Sequence, residues 1–109
     1  MDERIRRMVA YAAGGRNKGQ FGSSIYSYDQ GGYTNMSQSY DYGEGAHFSG
    51  AEGGNMFHYG AGAYVNLQME GGRFRGYDYS SGSHFAGEVR NNSISIYDYG
   101  RGQYFNYSV

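Results

Sequence analysis

The pattern Tyr-x-x-Gly-x-[Tyr/His] occurs five times in 109 residues, and it restricts the fold of this chain more than any other feature. The units are Tyr28, Gly31, Tyr33; Tyr42, Gly45, His47; Tyr59, Gly62, Tyr64; Tyr79, Gly82, His84; and Tyr99, Gly102, Tyr104. Successive units are 14, 17, 20 and 20 residues apart. In each, two variable residues (DQ, GE, GA, SS, GR) precede an unvarying Gly. This is the layout of a three-residue hairpin loop, a type I turn closed by a residue in the left-handed region. Only Gly takes that conformation without a Cβ penalty. The five glycines are therefore read as turn geometry and not as a ligand cradle.

The segments between the turns alternate in the manner of half-buried strands. Phe85, Gly87 and Val89 share one face, as do Phe105, Tyr107 and Val109, and Val65, Leu67 and Met69, with Phe48 and Gly50 in the equivalent places. This face is the expected core. The returns between units use Gly53-Gly54, Gly71-Gly72 and Asn91-Asn92, good short-turn chemistry. The fold class expected is mainly all-β: an antiparallel meander of about five hairpins, residues 21–109. About ten strands is long enough that the sheet must curl, split into two layers or close.

Residues 1–20 differ. Acids open DERIRRMVAYAAGG, Ile5, Met8, Val9 and Ala12 fall on one face at helical spacing, and Gly14-Gly15 follow. The reading is one short amphipathic helix, stopped at the glycine pair, with RNKGQ as a linker. Five basic residues against two acids give this head a net +3, while the remainder, four arginines against eight acids, carries −4. A solvated charged helix face, with the helix capping the sheet or packing on a partner, is the expectation.

Charge and composition exclude several function classes. The net charge of −1 and the acidic body argue against nucleic acid, which needs a positive groove. Without cysteine there is neither disulfide nor thiolate metal site. The apolar run MVAYAA is too short for a signal-peptide core or a membrane span, so a cytoplasmic location is the default and an extracellular one stays open.

The segment HFAGEVRNNSISIYDYGRGQYF is similar to the membrane occupation and recognition nexus (MORN) repeat, through Phe85-Ala86-Gly87-Glu88-Val89 followed by Tyr97, Tyr99, Gly102 and Phe105. The likeness extends loosely over residues 40–109. The units are 20 residues or fewer, shorter than the family's, and the Gly-x-Gly opening of its second strand is missing. The resemblance implies a hairpin array used for protein association or membrane-surface contact, without catalysis.

No catalytic constellation is present: there is no nucleophile elbow, phosphate loop or metalloprotease helix, and no enzyme activity or cofactor is expected. His47 and His84 share a slot with Tyr33, Tyr64 and Tyr104, so that slot is used as a flat amphipathic surface. Four strands separate the two histidines, roughly 19 Å at ~4.8 Å per strand, too far for one ion to bridge. His58, beside Tyr59, reads as surface in the same way. Asp41, Asp78 and Asp98 each stand between two tyrosines and are expected to keep an exposed face soluble. The candidate binding surface is thus Tyr33, His47, Tyr64, His84 and Tyr104 with Asp41, Asp78 and Asp98. The function expected is a non-catalytic structural or protein-interaction module that self-associates through unguarded sheet edges. The alternative is a carbohydrate- or cell-surface-binding module using the repeated Tyr, Asp and His rows.

Overall fold

A computed structural model describes residues 1–109 in full. One helix, α1 (Glu3–Lys18), is followed by ten strands: β1 (Ser24–Ser27), β2 (Gly32–Ser37), β3 (Tyr40–Asp41), β4 (Ala46–Ser49), β5 (Met56–His58), β6 (Ala63–Glu70), β7 (Arg73–Asp78), β8 (Ser83–Arg90), β9 (Ser93–Asp98) and β10 (Gln103–Ser108). Each strand pairs antiparallel with the next, and β1 pairs with β10 through Tyr26↔Ser108 and Ser27↔Tyr107, which closes the meander into a barrel. No helix is long and apolar enough to cross a membrane.

The five repeat turns lie between paired residues Ser27↔Gly32, Asp41↔Ala46, His58↔Ala63, Asp78↔Ser83 and Asp98↔Gln103. Four residues, one more than the sequence suggests, bridge each pair. In the first turn the N–H of Gly31 donates to the carbonyl of Ser27, four residues back. Gly31, Gly45, Gly62, Gly82 and Gly102 all have φ between 63° and 71°. The backbone requirement read from the repeat is met at every turn. At the opposite rim, Gly71-Gly72 and Asn91-Asn92 form two-residue loops between Glu70↔Arg73 and Arg90↔Ser93.

The apolar alternation points inward as read from the sequence. Phe48, Val65, Leu67, Phe74, Phe85, Val89, Ile94, Ile96, Phe105 and Tyr107 are all buried. A barrel of about eight strands is filled by its own side chains, whereas ten strands enclose more space. That space holds α1. Met8 through Ala13 are all buried, and six consecutive residues at 3.6 per turn cover every direction around a helix. At 16 residues the helix is about 24 Å long, enough to run from rim to rim of a body 29 × 28 × 28 Å. Its centre is rich in small residues (Ala10, Ala12, Ala13) because the barrel wall already supplies large rings. Tyr11 meets Phe48 edge-on at 6.2 Å between centroids.

This placement corrects three expectations. The helix neither caps the sheet nor shows a solvated charged face: Arg6 is buried and Arg7 nearly so. It also does not stop at Gly14-Gly15 but continues to Lys18, ending at Gly19, whose φ of 74° is the left-handed cap. The glycine pair serves close packing instead. A Cβ on Gly15 would lie 2.2 Å from the Phe21 ring, and one on Gly14 would lie 3.0 Å from Val109.

Both ends of the helix are tied to the barrel. At the repeat-turn rim, Arg7 donates from Nε (3.1 Å) and Nη2 (2.6 Å) to Asp41, and Arg6 donates to Asp98 at 3.0 Å while its guanidinium lies 3.7 Å from the Phe105 ring centroid. At the other rim, Arg16 donates to the carbonyls of Gly50, Ala51, Gly54 and Leu67. The positive head and the negative body neutralise each other inside one molecule.

Two predictions follow from this packing. Gly62→Ala meets open space and faces only the φ penalty, so it should lower unfolding free energy by about 1 kcal/mol. Gly76→Ala, on the inner face of β7, would place a Cβ 1.8 Å from the Asn66 carbonyl oxygen and 2.5 Å from Phe85, and should cost about 3 kcal/mol. Urea unfolding of the two variants tests that ranking; equal losses would show that the strands yield. Arg7→Met leaves the fully buried Asp41 without its cation and should cost about 3 kcal/mol, while Arg7→Met with Asp41→Asn should recover much of it. Additive losses in that double-mutant cycle would rule out the pairing.

Candidate functional site: an aromatic belt at the repeat-turn rim

The strand residue preceding each repeat turn points inward, and its side chain accepts a hydrogen bond from the turn backbone. Ser27 Oγ accepts from Gln30 N (3.0 Å), Asp41 Oδ1 from Gly43 N (2.8 Å), His58 Nδ1 from Ala61 N (3.1 Å), Asp78 Oδ1 from Ser80 N (3.0 Å) and Asp98 Oδ1 from Gly100 N (2.9 Å). Short polar side chains that bond the backbone two or three residues on are a standard means of fixing a turn. Asp41, Asp78 and Asp98 are therefore fully buried, not exposed as the sequence reading has it. Their charges are balanced differently. Asp98 receives Arg6 and the Met1 amino group at 3.0 Å each, and Asp41 receives Arg7. Asp78 has no cation and instead accepts from the hydroxyls of Ser80 (2.7 Å) and Ser81 (2.8 Å).

His58 occupies the same inward slot, so its surface assignment is also corrected. Because Nδ1 accepts a backbone N–H, the neutral ring carries its proton on Nε2, which is buried without a partner. Burial lowers its pKa from the ordinary imidazole value, partly opposed by the Asp41 charge. Burial, together with the adjacent Glu3 carboxylate, pushes the Tyr107 phenol far up, so it stays neutral and donates to Glu3 at 3.0 Å.

The outer face of the same rim carries the rest of the predicted surface. Tyr33, His47, Tyr64, His84 and Tyr104 all point to solvent from the strand leaving each turn. Each packs edge-on against an aromatic of the entering strand. The pairs are Tyr26–Tyr33 (4.7 Å between centroids), Tyr40–His47 (4.7 Å), Phe57–Tyr64 (4.6 Å), Tyr77–His84 (4.7 Å) and Tyr97–Tyr104 (4.8 Å). The first residue of each turn closes the same group from the other side: Tyr28, Tyr42, Tyr59, Tyr79 and Tyr99 lie 4.7–5.0 Å from those central rings. The tyrosines at the two flanking positions are 60–76% exposed. The result is five near-identical triads of T-shaped aromatics ringing one end of the barrel, an arrangement worth roughly 0.5–1.5 kcal/mol per pair beyond area burial.

Sequence reasoning identified the Tyr/His slot and the Tyr rows flanking Asp41, Asp78 and Asp98, but missed Tyr26 and Phe57 as central rings. Tyr26-Ser27-Tyr28 and Phe57-His58-Tyr59 lack the Asp of the other three units, which hid the equivalence. Counting back from Gly62 gives the register directly. No cluster of three His, Asp or Glu side chains is placed to hold a metal ion. The chain matches no protein-family model, no curated protein and no solved structure in comparisons with each.

His58 gives the barrel a defined pH response. Its pKa in the fold lies below the ordinary value of about 6.5, so the unfolded chain binds the extra proton first. The stability contributed by the neutral ring is present above pH of about 6.5 and is lost as pH falls through that value toward the folded pKa. Thermal melts between pH 7.5 and 5.5 should show a declining Tm in the wild type and a flatter curve in His58→Gln. Identical slopes in the two would exclude His58 as the source.

Proposed function

We propose that the chain is a non-catalytic binding module whose working surface is the aromatic belt, and that its ligands are carbohydrates. The observation that carries this reading is the fivefold recurrence of one exposed aromatic triad around a single rim. A tyrosine presents a flat apolar face to the C–H groups of a sugar ring and a hydroxyl to its oxygens, and it loses little side-chain entropy on binding. One such contact is weak. Several equivalent contacts facing outward around a rigid ring suit a repetitive ligand, whose second and third engagements become intramolecular and raise avidity without any new contact.

Self-association, the other expectation, loses its original motive, because a closed barrel has no free strand edge to template pairing. The implied likeness to hairpin arrays used in association is compatible with the belt, but it names no partner.

Binding of polysaccharides and of their monosaccharides, followed by Tyr fluorescence and calorimetry, tests the reading. The expected outcome is affinity for a polymer at least about 100-fold above that for its monomer, reduced stepwise as Tyr33, Tyr64 and Tyr104 are changed to Ser. Absence of any glycan binding, with concentration-dependent dimers in light scattering that bury the belt, would replace it with self-association.

A further inference from the structure

Two residues beyond the His/Tyr slot, the outer face carries Asn35, Ser49, Asn66, Ala86 and Asn106 in the five units. Four are polar; only the fourth unit has alanine. Ala86 on β8 lies between Arg75 of β7 and Tyr97 of β9. The truncated side chain leaves a groove of about 630 Å³ on the outer wall. Tyr77, His84 and Tyr99 line its belt side, and Asn66, Gln68 and Arg75 line the other. Arg75 is likewise peculiar to this unit: the equivalent positions two before the central ring are Ser24, Gln38, Asn55 and Ser95.

The guanidinium of Arg75 is oriented by its neighbour across the ladder, donating from Nε to Gln68 Oε1 at 3.4 Å. Both Nη nitrogens remain uncommitted, and no carboxylate of the chain lies within ion-pair distance of them. A guanidinium engaged at Nε with its terminal pair free can take a carboxylate bidentately. Beside it are an aromatic wall for the apolar face of a pyranose and the amides of Asn66 and Gln68 for its hydroxyls.

We infer that this groove is a subsite for a sugar carboxylate, so that the module selects acidic over neutral glycans at its fourth unit. The inference rests on the carbohydrate reading of the belt and adds a charge and a position to it. Carboxylate-bearing pyranoses come as uronates or as sialic acids, and the chemistry of the groove is common to both.

The test titrates the full chain, by 15N–1H NMR and calorimetry, with oligogalacturonate, with its methyl ester, with sialyllactose and with lactose. The expected result is that one acid binds at least about tenfold tighter than its uncharged counterpart, with shifts centred on β6–β8; which acid does so identifies the source. Arg75→Gln should abolish the preference while leaving neutral-glycan binding intact. Ala86→Asn, which restores the side chain of three of the other units, should close the groove and do the same without loss of fold. Equal binding of acid and ester overturns the carboxylate subsite and leaves the belt reading standing, as does a preference that survives Arg75→Gln. No shift with any glycan overturns both.

Discussion

A ten-stranded sheet closed on itself encloses a lumen wider than its own side chains fill, and the interior must reach close packing all the same. The helix meets that requirement, and much of the remaining sequence follows from it. Ala10, Ala12, Ala13, Gly14 and Gly15 keep the middle of α1 slender and wholly buried, while the wall supplies the large rings of Phe48, Phe85, Phe105 and Tyr107. Small residues on the strands serve the same end: Gly76 faces Phe85 and Gly87 faces Phe74 in the ladder, so each ring lies over a glycine instead of a side chain.

A helix in a lumen also fixes where charge can go. Arginines carried inside need carboxylates waiting for them, because breaking one buried pair strands a charge at a cost of several kcal/mol. The barrel supplies those carboxylates from residues that already have another task. Asp41 and Asp98 hold their turns with one oxygen and receive Arg7 and Arg6 with the other. One side chain thus satisfies both the turn backbone and the helix, and the polar ring at this rim needs few atoms of its own.

How far this could be read from sequence depends on what each residue answers to. The five turns were legible because a left-handed φ is a local demand that glycine meets alone, and so was the inward face, because period-two alternation fixes parity along each strand. The helix interior was not, since an apolar stripe at Ile5, Met8, Val9 and Ala12 looks the same whether one face or every face is covered. The aspartates were misjudged by weighing residue type over parity. Asp78 is two steps of two from Phe74, and Asp98 is one and two such steps from Ile96 and Ile94, so alternation along these entering strands places both aspartates on the apolar face; the sequence reading assigns an inward face only to the strands leaving the turns. Closure itself lies beyond any local signal, because the pairing of Ser27 with Tyr107 joins residues at opposite ends of the repeat.

Parity also explains why the belt is so regular while the chain around it varies. At each repeat turn the inward neighbour of the flanking tyrosine caps the turn, and the outward aromatics sit on either side of it, so one loop geometry positions both rows. The inner slot accepts Ser, Asp or His because all three can take a backbone N–H. The outer slot accepts Tyr or His because both present a flat ring to the central aromatic. Beyond these slots, variation falls on the two middle residues of each turn and on the outer wall away from the rim, where Arg75 and Ala86 stand. The geometry of the rim is therefore regular by construction, and the residues that set the fourth unit apart, Arg75 and Ala86, lie on the outer wall away from it.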